Sequence, residues 1–273
     1  MAESTKNPPL SESEPKKLYS EAIEIARGND VTGLAALKQK LGDGAFLSKL
    51  DSDEAYRGKM ERLRVAGILQ ALSENKAPAA KVVLTSLTSN QVFQGQRGRV
   101  TLLIRALEPI RPASSDVVGY WDKHCQPDDG YSNITMDTVI KNGSAPALVL
   151  FEKNIPNTAH PEEDRYSWIV MYVLQRRNDL PLLQSCDRVL MGRLDQQHKT
   201  LLADVLFDYK PDDWFRACGW VKPPPRQAAG ADSLRQLRTI GKRVMGDKNY
   251  PEATRKVAEV VVEEVNERLK DKG

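Results

Sequence analysis

Cysteine and histidine are scarce in this sequence. The 273 residues include three of each, and no histidine has a second histidine or a cysteine at the spacing of a common zinc motif. A small, odd number of cysteines is typical of reduced thiols rather than of a disulfide framework. The sequence therefore predicts no metal centre, and it indicates no cofactor.

Long apolar runs are also missing. No stretch approaches the roughly 18 apolar residues that a transmembrane helix requires, and residues 1–6 carry no apolar core of a secretory signal. Hydrophobic residues make up 40% and charged residues 28% of the chain, with a net charge of +3. This balance is typical of a folded protein rather than a disordered one, so we expect a cytoplasmic protein without a membrane segment.

Motifs of known chemistry are not found either. Gly95–Gly98 lacks the Lys-Ser/Thr ending of a phosphate-binding loop and follows no predicted strand. The acidic residues at 162–164 and 212–213 come just after prolines, where they favour the start of a helix. Cys186 and Cys218 are interpreted as small buried hydrophobic residues. No group of residues predicts a catalytic centre, so the sequence leaves enzymatic activity open but favours a non-catalytic protein.

Prolines recur at a nearly constant interval in the middle of the chain. Pro78, Pro112, Pro146, Pro181 and Pro211 are separated by 34, 34, 35 and 30 residues. Each follows one apolar segment with helical spacing and precedes another. Proline is tolerated in the first turn of a helix but not in its interior, and it keeps the preceding residue out of helical geometry. The pattern therefore predicts repeated helical hairpins with a proline at each turn.

The residues around these prolines also repeat. An apolar residue stands ten positions before each proline: Ile68, Leu102, Met136, Met171 and Leu201. One hairpin cannot bury both of its apolar faces alone, so neighbouring hairpins are expected to stack. The apolar runs at residues 82–84 and 147–151 are short enough to be strands, but their shared place after a proline favours helix.

The repeats divide the chain into five predicted regions. These are a disordered tail (1–17), an N-terminal hairpin and connection (18–59), the repeats (60–218), a Pro-rich linker (219–232) and a C-terminal hairpin (233–273). The last region fits as a sixth unit with its turn at Gly246–Asn249 and a charged final helix. Since terminal repeats are usually capped by polar faces, this helix favours a monomer.

The turns have a recognisable composition. Asn75, Pro78 and Lys81 give a polar turn residue, a proline and a basic residue three positions later. Looser versions occur at Asp208, Pro211 and Arg216, with Ala217, and at Asp247, Pro251 and Arg255, with Ala258. This pattern resembles the HEAT/armadillo-like α-solenoid superfamily. The other units have Ser115, Val149 and Gln184 in place of the basic residue, so the ladder of acidic and basic residues that is typical of the family is not predicted there.

The resemblance implies an all-α fold, a right-handed α-solenoid of about six stacked hairpins. It also implies binding of a protein or a nucleic acid along a curved surface, commonly on the concave side formed by the second helices. The family resemblance is specific for architecture and says little about activity.

Clustered aromatic residues are the candidate contacts for a partner. Most are interpreted as packing between repeats, but Tyr120, Trp121 and Trp214 are the aromatic residues that could anchor a partner on the concave face. Arg216 is the charged residue next to the last of them. The sequence thus favours a non-catalytic scaffold that binds a protein or peptide through these four residues.

A basic helix face supports the alternative function. Arg235, Arg238 and Lys242 share one face at positions i, i+3 and i+7, and Arg243 adds to the charge. Such a face could contact phosphates, although solvated basic faces are common. The alternative is therefore nucleic-acid binding, with a HEAT-like DNA glycosylase for alkylated bases as its enzymatic form. No residue of this chain can be matched to that enzyme family position by position.

Overall fold

The computed structural model describes residues 13–50, 61–95, 97–126, 130–155, 173, 176, 178–192, 194–207 and 229–270. These residues form thirteen α-helices and one short 3-10 helix at Gln91–Phe93, with no β-strand among them. The fold class is therefore all-α, as predicted. The helices are α1 (Glu14–Arg27), α2 (Val31–Leu41), α3 (Gly44–Leu50), α4 (Glu61–Glu74), α5 (Pro78–Leu87), α6 (Arg97–Ala106), α7 (Ser115–His124), α8 (Ser132–Asn142), α9 (Ala145–Asn154), α10 (Leu180–Met191), α11 (Gln196–Leu206), α12 (Ala231–Gly246) and α13 (Glu252–Lys270).

The turn prolines act largely as the sequence predicts. Pro78, Pro146 and Pro181 lie in the first turns of α5, α9 and α10, where the missing N–H costs no helical hydrogen bond. Pro112 is an exception, because α7 begins three residues later with Ser114 as its N-cap. The runs at 82–84 and 147–151 are helical, so the strand alternative is wrong. Pro211 lies outside the described residues.

Two boundaries near the N-terminus differ from the prediction. Helix α1 begins at Glu14, inside the predicted disordered tail, because Pro15 occupies its first turn and is buried. The predicted connection after residue 42 contains α3, whose Phe46, Leu47 and Leu50 are buried. These apolar residues pack α3 against its neighbours α1, α2 and α4.

The chain divides into two compact units, Met1–Pro109 and Ile110–Gly273. In the first unit, α1 and α2 form one hairpin and α4 and α5 form the next. Helix α1 packs on α4, and α2 packs on α5, while α6 packs mainly on α4. First helices thus contact first helices, and second helices contact second helices.

In the second unit, the helices that follow a turn pack on one another in the same way. Helix α7 packs on α9, and α9 packs on α10. We call α2, α5, α7, α9 and α10 the second helices and α1, α4, α6, α8 and α11 the first helices. The described helices are too short or too polar to cross a membrane.

The last hairpin does not keep the order that a sixth repeat would have. Its first helix, α12, packs on the second helix α10, and α13 packs on the first helix α11. The position of α12 depends on polar contacts that no proline spacing encodes. The Ser233 hydroxyl donates to the Asn178 carbonyl at 2.6 Å, and Arg243 forms an ion pair with Asp187.

Candidate functional site

Two of the predicted aromatic anchors are buried. Tyr120 is 4% exposed and Trp121 is fully buried. Together with Val117 and His124 they form the buried face of α7, and α7 packs against both α8 and α9. The prediction that Tyr120 and Trp121 are exposed anchors is therefore wrong, because both belong to the core of the second unit. Trp214 and Arg216 lie outside the described residues.

The aromatic cluster around α7 serves internal packing. The His124 ring makes edge contacts with Tyr120 and Tyr131, with ring centroids 4.8 and 5.2 Å apart. The Cys125 sulfur lies 3.7 Å from the Met136 sulfur. Edge-to-face aromatic pairs and sulfur contacts of this kind stabilise a core, so these residues hold α7 against the next hairpin.

The predicted basic face of α12 is partly neutralised. Arg235 forms an ion pair with Asp232 at 2.6 Å, and Arg243 pairs with Asp187. Arg238 donates a hydrogen bond to Asn266 at 3.3 Å. Lys242 is exposed. The surface around these residues is therefore of mixed sign rather than a continuous basic stripe.

A ladder of ion pairs connects helices of the second unit, and we take it as the candidate functional site. Each rung joins an acidic residue of one helix to a basic residue of the next, and the rungs are Asp122–Lys153, Glu152–Arg188 and Asp187–Arg243. They run from α7 to α9, from α9 to α10, and from α10 to α12. We call these six residues the ladder.

The first two rungs are formed by short ion pairs and hydrogen bonds. Lys153 Nζ lies 2.7 Å from Asp122 Oδ2. The Arg188 guanidinium donates to both Glu152 oxygens, at 2.7 Å from Nη2 and at 3.0 and 3.1 Å from Nε. The Ser185 hydroxyl donates to the same carboxylate at 2.5 Å. The hydrogen bonds to Glu152 raise the pKa of the Arg188 guanidinium further above its already high usual value, so this rung stays charged.

In each rung of the ladder, the acidic side chain is less exposed to solvent than its basic partner. The side chains of Asp122, Glu152 and Asp187 are 33%, 22% and 11% exposed, whereas those of Lys153, Arg188 and Arg243 are 58%, 54% and 40% exposed. The positively charged groups of the ladder are therefore exposed to solvent, and each is neutralised by a less exposed carboxylate. Two apolar side chains are exposed on the helices that carry the first two bases: Val149 on α9 is 63% exposed, and Met191 on α10 is 58% exposed.

Four of the six ladder residues occupy equivalent places after a turn proline. Glu152 and Lys153 follow Pro146 by six and seven positions, and Asp187 and Arg188 follow Pro181 by the same intervals. Within each dipeptide the acid pairs with the next helix and the base with the previous one. The prediction missed this signal because the HEAT pattern has its basic residue three positions after the proline, and no ladder residue stands there.

A second set of polar contacts joins the turns. Asn75 Nδ2 donates to the carbonyls of Ala26 and Gly28 at 2.8 and 2.7 Å, in the turn of the preceding hairpin. In the second unit, buried Asn142 donates to the Ile110 carbonyl at 2.9 Å. A buried carbonyl without a partner is costly. These two asparagines therefore fix their turns against the turn of the preceding hairpin.

Cys186 lies within the ladder region but has no features of a nucleophile. Burial raises the pKa of its thiol, and the nearby carboxylates of Glu152 and Asp187 raise it further. A reactive cysteine needs the opposite, a lowered pKa in an accessible place. Across the described ranges, no three His, Cys, Asp or Glu residues are grouped so that they could hold a metal ion.

Comparison with known proteins gives no match. No protein family, no curated protein and no solved structure is similar to this chain at a significant level.

Proposed function

We propose that this protein is a HEAT-like α-solenoid scaffold of about six stacked hairpins that binds a protein or peptide partner along its second helices. The pairing of first helices with first helices in the first unit, and of second helices with second helices in each unit, supports the solenoid. The turn asparagines and the ladder support it further, because both connect consecutive hairpins.

The observation that carries the proposed function is the surface of the ladder. Lys153 and Arg188 are exposed but locally neutralised, and Val149 and Met191 are exposed beside them. Protein interfaces combine exposed apolar side chains with paired charges, whereas nucleic acids select continuous positive surfaces. We therefore favour a protein partner over a nucleic acid for this face.

A photo-cross-linking experiment tests the proposal. Benzoylphenylalanine is placed at Val149 on the second helix α9, and a matched variant carries it at Gln197, which is exposed on the first helix α11. We expect the Val149 position to cross-link a discrete protein in native lysate, with competition by unlabelled protein, and the Gln197 position to give no such product.

The same experiment has clear contrary results. Equal cross-linking at both positions would mean that the second helices have no special role. A product that is digested by nuclease would mean that the partner is a nucleic acid. Salt titration with labelled duplex and single-stranded DNA checks the second result, since phosphate contacts weaken steeply as salt rises.

A further inference from the structure

The second helices of the first unit differ in charge from those of the second unit. Helices α2 and α5 contain three lysines, Lys38, Lys40 and Lys81, and no Asp or Glu. Helices α1 and α4, against which they pack, contain five glutamates. Neither α2 nor α5 therefore contains a carboxylate that could neutralise these lysines, as the ladder carboxylates do in the second unit.

The three lysines of α2 and α5 are exposed and form no ion pair with a described acidic residue. Lys38, Lys40 and Lys81 are all exposed, and none lies within 4 Å of an acidic group in the described part of the chain. Asp30 and Asp43 flank α2, and each accepts backbone hydrogen bonds at the start of a helix rather than an ion pair with one of these lysines. Asp30 accepts from the backbone N–H groups of Thr32 and Gly33 at 3.0 Å, and Asp43 accepts from the N–H of Ala45 at 2.8 Å.

Apolar side chains lie on the same two helices. Val31 on α2 is 67% exposed, and Val82 on α5 is 62% exposed. Val31, Ala35 and Lys38 are spaced i, i+4 and i+7, so they share one side of α2. Lys81 and Val82 are neighbours on the exposed side of α5, which packs directly on α2. We call Val31, Ala35, Lys38, Lys81 and Val82 the lysine-valine face.

We propose that the lysine-valine face binds an acidic amphipathic segment of a partner protein. This inference rests on the proposed function and assigns the chemistry of the partner. Uncompensated lysines complement glutamates or aspartates, and Val31 and Val82 complement the apolar side of the same segment. An amphipathic helix laid along two packed helices makes both kinds of contact at once.

The composition of the face favours a protein over a nucleic acid. Helices α2 and α5 contain no arginine and no aromatic residue. Lysine contacts phosphates as arginine does, but the base contacts and stacking of nucleic-acid surfaces typically come from arginine and aromatic rings. Exposed valines among lysines have no role in contacting phosphates, whereas they bury apolar area against a peptide.

The test uses a defined probe and the full chain. The probe is a fluorescein-labelled peptide of about 16 residues, long enough for helix formation, with leucine on one helical face and glutamate elsewhere. A peptide with glutamine in place of glutamate and a labelled single-stranded DNA are the comparison probes. Fluorescence anisotropy gives each Kd at low and at physiological salt.

Two variants and one matched control separate the contributions. The Lys38→Glu/Lys81→Glu variant reverses the charge, and the Val31→Ser/Val82→Ser variant removes the apolar contacts. The control is Lys248→Glu/Lys270→Glu, which makes the same charge change at exposed lysines of the other unit. Circular dichroism confirms folding, and Lys38→Gln/Lys81→Gln replaces the first variant if the charge reversal impairs folding.

We expect the acidic peptide to bind the native chain, with about a tenfold loss in the lysine variant and a several-fold loss in the valine variant. The control should bind within about twofold of the native chain, since the lysines that it changes are not part of the lysine-valine face. The glutamine peptide should bind more weakly than the acidic one.

Three results would overturn the inference. They are no binding of the acidic peptide, an equal loss in the control variant, or DNA binding that the lysine variant weakens and the valine variant leaves unchanged. Cross-linking at Val149 remains the separate test of the proposed function. A cross-linked protein at Val149 together with no peptide binding would reject this inference alone.

Discussion

Replacing Trp121 by alanine should lower the free energy of unfolding by about 3–5 kcal/mol, the range for a fully buried large aromatic residue. Trp121 is completely buried, on a helix that packs against both α8 and α9. Net stabilities of domains are about 5–15 kcal/mol, so the variant should be close to unfolding. Urea denaturation followed by circular dichroism measures the change.

A conservative variant distinguishes packing from hydrogen bonding at this position. The indole N–H of Trp121 has no hydrogen-bond partner among the described residues, and an unpaired buried donor is destabilising. Trp121→Phe removes this donor and keeps most of the apolar volume, so its loss should be less than half that of Trp121→Ala. A loss below about 0.5 kcal/mol for Trp121→Ala, the usual range for surface sites, would mean that the side chain is not in the core.

Replacing Gly241 by valine should cost about 2–3 kcal/mol, as expected for overpacking of a tight contact. A Cβ at Gly241 would lie 2.6 Å from Val262 Cγ2 and 3.5 Å from the Ala258 carbonyl oxygen. Valine is stiff at χ1, so Val262 cannot turn away without cost. Helices α12 and α13 would have to separate. Thermal unfolding of the purified variant measures the loss.

The matched control for this substitution is in the same helix. Gly246 ends α12, and a Cβ there would meet nothing within 4 Å. Gly246→Ala should therefore be neutral or slightly stabilising, because alanine lowers the entropy of the unfolded chain. If Gly241→Val is as well tolerated as Gly246→Ala, the close approach of α12 and α13 is not present in the folded protein.

The local features of the fold could be predicted from the sequence. Proline acts on its own residue and the one before it, so Pro78, Pro146 and Pro181 could be placed at helix starts without knowledge of the tertiary structure. The N-terminal hairpin could be predicted in the same way, since Gly28 and Asp30 end one helical pattern and begin another. Both predictions depend on interactions within a few residues.

Features that depend on distant residues could not be predicted in this way. The residue types of Tyr120 and Trp121 are compatible with core packing and with a partner contact, and only the positions of α8 and α9 determine that they are buried. The exchanged order of α12 and α13 depends on contacts such as Arg243 with Asp187, which are 56 positions apart in the chain. The ladder was missed for a different reason. Four of its residues stand six or seven positions after a turn proline, whereas the HEAT pattern has its basic residue three positions after the proline.

The measurement that tests the central claim most directly is a charge exchange across one rung of the ladder. The claim is that consecutive hairpins are held in register by paired positions of their second helices. Glu152→Arg and Arg188→Glu each place two like charges together and should destabilise the protein. The double variant restores an ion pair of reversed polarity, so it should be more stable than either single variant.

The free energies of unfolding of all four proteins give the coupling between the two positions. We expect that the losses of the single variants do not add, with a coupling of at least about 1 kcal/mol, in the range for residues in contact. Strictly additive losses, with the double variant less stable than both single variants, would contradict the stacking of α9 on α10 through this rung.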